Sequence, residues 1–199
     1  MKHLVLASNN GKKLTELRAL LAPLGIEVTP QDELGVSEAE EPHGTFVENA
    51  LAKARHAALA TGLPALADDS GLCVDALGGA PGVISARYAG EPKSDARNNE
   101  KLLAELAALP GEQARGAHFA CVLVLVRSAD DPQPLIAEGE CPGRILAAPR
   151  GTGGFGYDPL FWLPELGKTM AELDAQEKNG ISHRARAMAR LLERLADRR

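Results

Sequence analysis

Two adjacent carboxylates, Asp68 and Asp69, close the apolar stretch Pro64–Ala67 and lead into Ser70-Gly71. Carboxylates beside a core are costly to desolvate unless a positive group meets them. Hard oxygen donors of this kind suit Mg2+, which takes one or two carboxylates and fills its shell with water and phosphate oxygens. A solvated, aspartate-capped turn is the plain alternative. Upstream, Asn49, Lys53 and His56 recur at i, i+4 and i+7, a polar stripe on one helix face. Beside it Ala50, Ala54, Ala57 and Ala58 form a packing face of small residues. A lysine on such a helix reaches into a cleft or stands in solvent. Glu40 and Glu41 offer a further cation ligand or belong to an acidic surface loop.

A second set of residues suits phosphate and a flat ring. Ser8-Asn9-Asn10-Gly11-Lys12-Lys13 ends an apolar strand and opens a helix. Free backbone N–H groups and the positive end of the helix dipole make an anion site there, with Lys13 adding a full charge. The P-loop pattern is absent, and an ordinary strand-to-helix turn explains the segment equally well. Gly151-Thr152-Gly153-Gly154-Phe155-Gly156-Tyr157-Asp158-Pro159 combines backbone freedom with two aromatic rings. Stacking of a base on such a ring is worth roughly 1–3 kcal/mol; a bulged loop with buried aromatics is the alternative. Lys178 and Ser182-His183-Arg184 stand at the entry to the last helix. A phosphate cradle, a carboxylate pair, lysines and an aromatic loop together suit a nucleotide with its metal.

The elements that must position these groups follow from periodicity and capping. Leu4–Ala7 reads as a buried strand, and Leu14, Leu17, Leu21 and Leu24 as one face of a helix stopped at Gly25. Thr45 and Glu48 have capping-box spacing and open a helix that Gly62 ends. Pro64–Ala67 is expected as a short strand, residues 68–71 as a turn, and Leu72–Leu77 as a second strand. Ser94 caps a helix running to Leu109 before Pro110-Gly111. Ala117–Arg127 is the strongest strand, with Leu135–Cys141 as its partner. Thr169 and Glu172 repeat the capping spacing, and Ser182 starts a last helix with a stripe of Met188, Leu191, Leu192 and Leu195. The mixture predicts an α/β fold with a mixed sheet in a single domain over residues 1–199.

Composition narrows the function class. The 199 residues carry a net charge of −5, with 45% hydrophobic and 25% charged residues, an ordinary globular balance. The acidity argues against wrapping a nucleic-acid polymer. Arg186, Arg190, Arg194, Arg198 and Arg199 are expected to form a solvated helix face. Cys73, Cys121 and Cys141 form no CxxC pair, which favours a reducing, cytoplasmic setting. The apolar run Ala120–Val126 is too short to span a bilayer, and the N-terminus lacks a signal-peptide core. A small anionic partner is the remaining class.

In order along the chain, SNNGKK at 8–13, TFVENA at 45–50 with Lys53-Ala54, ADDSGL at 67–72, GAPG at 79–82, SARY at 85–88, GFGYDP at 154–159 and SHR at 182–184 resemble one family. It is the inosine/xanthosine triphosphate pyrophosphatases, which clear non-canonical purine nucleotides. The resemblance implies an elongated, two-lobed α/β molecule with a central mixed sheet, a cleft between the lobes, and a homodimer. It also implies Mg2+-dependent hydrolysis of dITP, ITP and XTP between the α and β phosphates. Asp69 is then the catalytic carboxylate and a metal ligand, supported by Asp68 and Lys53. Glu40 is expected as the second ligand, with Glu41 as the alternative. Ser8, Asn9, Asn10, Gly11, Lys12, Lys13 and Ser70 would hold the phosphates. Phe155, Gly156, Tyr157, Asp158, Lys178, His183 and Arg184 would hold the base and the rest of the substrate.

Overall fold

The computed structural model describes residues 3–8, 11–22, 25–108 and 115–197, without the side chains of residues 12, 13, 16 and 20. Seven strands form one sheet: β1 (His3–Leu6), β2 (Glu27–Pro30), β3 (Ala65–Val74), β4 (Gly116–Val126), β5 (Leu135–Ile145), β6 (Phe161–Leu163) and β7 (Lys168–Thr169). Their order is β2-β1-β3-β4-β5-β6-β7. β1 pairs in parallel with β2 and β3, whereas β6 pairs antiparallel with β5 and β7, so the sheet is mixed, as the sequence predicts. Among the described residues five α-helices accompany it: α1 (Gly11–Leu21), α2 (Phe46–Thr61), α3 (Asp95–Ala107), α4 (Ala175–Ile181) and α5 (His183–Ala196). No described helix is long and apolar enough to cross a membrane.

The chain divides into two compact units. The first comprises Met1–Asp69, Cys121–Gly139 and His183–Arg199. Its parallel strands are covered on both faces, as buried parallel sheets must be. Strand alternation sorts the residues between two apolar layers. Leu4 and Leu6 of β1, Leu66 of β3 and Leu123 of β4 pack with Leu17 and Leu21 of α1 and Met188 and Leu191 of α5. Val5, Ala7, Ala65, Ala67, Val122 and Val124 pack instead with Ala50, Ala54, Ala57 and Ala58 of α2. These alanines are almost completely buried and let α2 lie close to the strands. Thr45 caps α2 by accepting from the Glu48 N–H, and Gly62 ends it in the left-handed region, both at the expected positions.

Gly139 of β5 fixes the seat of α5. A side chain there would collide with the backbone at His183 and Ala187, so only glycine lets the helix start so close to the strand. Arg190 and Arg194 of α5 then donate to the carbonyls of Glu138 and Ile136 on β5. The expected solvated face is borne out, since Arg186, Arg190 and Arg194 are exposed, and two of them also tie the helix to a strand. Arg198 and Arg199 lie outside the described residues.

The second unit comprises Ser70–Ala120 and Glu140–Ser182. Its core gathers Leu72, Val74, Leu102, Leu106, Phe119, Ile145, Leu160, Phe161 and Met170. The rings of Phe119 and Phe161 meet tilted, with centroids 4.4 Å apart. Asn98 of α3, buried, donates to the carbonyls of Ser85 and Ala86 and accepts from the Ala89 N–H, fixing the 3-10 segment Gly82–Arg87.

One expected boundary is wrong. Residues 68–71 do not turn, and β3 runs without a break from Ala65 to Val74. Polar residues read from sequence as a turn stay extended because their side chains find buried partners.

Candidate active site

Alternation along β3 sends its two aspartates to opposite faces. Asp68 shares a face with Leu66, toward α5, and Asp69 shares one with Ala67, toward α2. Asp69 is 6% exposed and meets two donors from α2. Lys53 Nζ donates to Asp69 Oδ1 at 3.2 Å, and Asn49 Nδ2 to Asp69 Oδ2 at 3.3 Å. Lys53 also donates to Glu41 Oε1 at 2.6 Å. The ammonium therefore bridges two carboxylates while its side chain is only 12% exposed. Burial opposes its charge, but Asp68, Asp69 and Glu41 outweigh that effect and hold its pKa above the ordinary lysine value. Lys53 is cationic throughout the physiological range.

The loop that carries Glu41 is fastened to the same helix. Asn49 Oδ1 accepts from the His43 N–H at 3.0 Å and Asn49 Nδ2 donates to the His43 carbonyl at 3.2 Å. One helical turn beyond Lys53, His56 Nε2 lies 2.9 Å from the Ser37 carbonyl. The polar stripe Asn49, Lys53 and His56 thus acts as three fasteners. On the opposite face of β3, Arg184 Nε lies 3.6 Å from Asp68 Oδ2, and both side chains are buried. His183, at the start of α5, is buried as well.

Among the described residues no group of three or more His, Cys, Asp and Glu side chains is gathered closely enough to hold a metal unaided. The donor chemistry nonetheless fits Mg2+. Glu41 and Asp69 are hard carboxylates meeting at one cation, and this metal needs only one or two such ligands when phosphates and waters supply the rest.

The second unit holds the aromatic loop. Asp158 folds back so far that a side chain at Gly154, φ +73°, would collide with it. Its Oδ2 accepts from the Phe155 N–H at 2.9 Å and from Lys178 Nζ at 2.8 Å. The same ammonium stands 4.8 Å from the centre of the Phe155 ring. Gly156 is held through both backbone groups: its N–H donates to Asp95 Oδ2 at 2.7 Å, and its carbonyl accepts from Asn99 Nδ2 at 2.9 Å. Tyr157 Oη donates to the Ser85 carbonyl at 2.8 Å. Burial first, then nearby phenol and carboxylate oxygens, pushes the Tyr157 pKa upward.

The Ham1 family model matches residues 4–194. The chain belongs to the Ham1 family. The dITP/XTP pyrophosphatase of Ralstonia nicotianae is 68% identical over 198 residues, covering 98% of this chain and 97% of that protein. The dITP/XTP pyrophosphatase of Nitrosomonas europaea is 64% identical over 197 residues, covering 99% and 96%. Among solved structures, a HAM1 protein from Coxiella burnetii superposes with a TM-score of 0.92 at 52% identity over 99% of this chain and all of the other. The Ham1 protein of Staphylococcus aureus gives 0.88 at 40% identity over the whole of both chains. The resemblance read from the ordered motifs is borne out.

Within this Ham1 chain the expected site residues fall into two groups. Lys53 and Asp69 come together, with Asp68 next to them on β3. The glutamate that joins them is Glu41, not the exposed Glu40: of these two neighbours in an irregular loop, Glu41 is the one that Lys53 contacts. Phe155, Gly156, Asp158 and Lys178 assemble around one loop. Tyr157 does not offer its ring: it is 4% exposed within the apolar core, leaving Phe155 as the half-exposed aromatic. The Arg184 guanidinium is turned to Asp68. Ser8 follows β1, Gly11 opens α1, and Ser70 is half-buried in β3. Asn9 and Asn10, and the side chains of Lys12 and Lys13, lie outside the described residues. Sequence reasoning missed Asp95 and Asn99 altogether. The only signal, a polar pair at i, i+4 after the Ser94 cap, resembles any solvated first turn.

Proposed function

We propose that this protein hydrolyses non-canonical purine nucleoside triphosphates, dITP, ITP and XTP, to the monophosphate and pyrophosphate. The observation that carries this reading is Lys53 of α2 bridging Asp69 of β3 and Glu41 of the loop before α2. Such a charge cluster suits a cation–polyphosphate unit far better than a neutral ligand. The relatives named for dITP and XTP, matched over nearly their whole length, support the same substrate class.

Each residue then has a task. Asp69 orients the water that attacks the α-phosphorus and accepts its proton; an ordinary aspartate is a weak base at neutral pH, so fixed geometry matters. Lys53 and Asn49 clamp one carboxylate oxygen each, leaving the group a single orientation. Lys53 also offsets negative charge as the leaving pyrophosphate develops it. Glu41 and Asp69 would hold Mg2+, which when bound supplies Lewis-acid polarisation of the phosphate oxygens. The first loop, Ser8–Lys13, would cradle phosphates through N–H groups and lysine charge. Phe155 stacks on the purine, with Lys178 and Asp158 behind it. Donors at the first turn of α5, His183 and Arg184, suit a 6-keto oxygen; adenine, with an amino group there, would leave donor facing donor.

Incubation with dITP, XTP, ATP and GTP and Mg2+ tests the reading. Release of monophosphate and pyrophosphate from dITP and XTP, with ATP and GTP turned over at least about a hundredfold more slowly, is expected, and EDTA should abolish it. Orthophosphate as the product, or equal turnover of ATP, would overturn it. The family resemblance also supports a cytoplasmic homodimer, which sedimentation equilibrium and cell fractionation test.

A further inference from the structure

We propose that Asp95 and Asn99 are positioning residues for nucleobase recognition: they form a clasp on the first turns of α3 that holds Gly156 and thereby presents the Phe155 ring. The inference rests on the reading that this loop receives the base. A glycine-rich loop is a poor platform by itself, since each unpinned glycine multiplies the conformations that binding must freeze out. Here the pinning is supplied from 57 and 61 residues away in the chain. Asp95 and Asn99 stand at i and i+4, one above the other on a helix face, and take the two backbone groups of a single residue. The Gly156 N–H meets a carboxylate oxygen, a charge-assisted bond. The Gly156 carbonyl meets an amide whose orientation is already set, because Asn99 Nδ2 also donates to the Asp95 carbonyl. With φ at +61°, Gly156 occupies a conformation that other residues rarely adopt, so the clasp also selects glycine there.

The neighbours complete the support. The Phe155 N–H is taken by Asp158, and the Asp158 N–H returns to the Phe155 carbonyl at 3.2 Å. Tyr157 is anchored in the core through Ser85. Phe155 is thus held within the loop and Tyr157 by the core, and among the described residues Asp95 and Asn99 are what hold Gly156 itself. Neither residue touches the reacting phosphates in this reading, so their loss should weaken binding of the base and spare the chemical step.

The test compares Asp95→Ala, Asn99→Ala, Asn99→Asp, Asp95→Asn and Phe155→Ala, measured with ITP. Phe155→Ala should raise KM by about tenfold or more. Asp95→Ala and Asn99→Ala should each raise KM by about five- to tenfold with kcat within about twofold, the loss of one bond apiece. Asn99→Asp, which sets a carboxylate against the Gly156 carbonyl, should exceed Asn99→Ala. Asp95→Asn keeps an acceptor and should restore most of the affinity, which a bare requirement for helix stability would not predict. Hydrogen exchange at residues 153–158 should quicken in both alanine variants while the melting temperature holds. Asp95 is exposed, so its variants keep the test open if an Asn99 variant fails to fold. A raised KM in Phe155→Ala with both clasp alanines unchanged would overturn the clasp. An unchanged KM in Phe155→Ala would overturn the loop reading beneath it.

Discussion

The two units solve different physical problems. In the first, charge is buried: Asp68, Asp69 and Lys53 sit on β3 and α2, elements whose backbones are already satisfied, and each of the three has an oppositely charged partner. In the second, a ring is presented on a loop, and the backbone of that loop is what needs partners, from Asp95, Asn99 and Asp158. Charges close to a core demand rigid scaffolds because misplacing one by an ångström leaves it uncompensated. An aromatic platform tolerates a loop provided its backbone is pinned. The charge cluster on β3 and α2 should accordingly govern kcat, and the aromatic loop of the second unit KM.

That division can be broken most sharply at Asp69. Asp69→Asn keeps the shape and removes the base, and should lower kcat by about a thousandfold with circular dichroism unchanged; a wild-type rate would sink the assignment. Next, Lys53→Met should cost about a hundredfold in kcat, because it leaves Glu41 and Asp69 with no ammonium between them. It should also change the alkaline limb of stability. The Lys53 pKa is raised in the folded protein, so its contribution is complete below about pH 10.5 and fades as pH rises through the folded value. Thermal melts from pH 8 to 12 should fall more steeply for the wild type than for the variant.

The smallest effect belongs to a residue of the first unit that lies away from its charge cluster. Asp131, in the turn between β4 and β5, accepts from the Arg127 backbone and guanidinium and from the Gln133 N–H. The Arg127 bond above all holds its carboxyl well below the usual range. Asp131→Ala should cost about 2 kcal/mol of stability and leave kcat and KM alone. Because the folded pKa is depressed, the wild-type turn keeps this contribution above about pH 4 and loses it as acid is added. Melts from pH 5 down to pH 2 should show a wild-type decline, beginning near pH 4, that the variant lacks.

Several parts of this protein were legible without coordinates. The caps of α2 at Thr45 and Gly62, the start of α3 after Ser94 and the apolar run of β4 rest on local rules that need no distant partner. The Asn49-Lys53-His56 stripe was readable for the same reason, since helical spacing alone puts the three on one face. Which of Glu40 and Glu41 meets Lys53 was not readable, because both are plausible until a loop is docked on a helix. The uninterrupted β3 was misread as a turn because Asp68 and Asp69 look solvated when Arg184 and Lys53, 116 and 16 residues away, are out of sight. Residue types and short-range periodicity thus determined the elements and the chemistry available to them. The pairing of charges, the inward turn of Tyr157 and the hold of α3 on Gly156 were decided only by packing, since each depends on side chains that chain order keeps far apart.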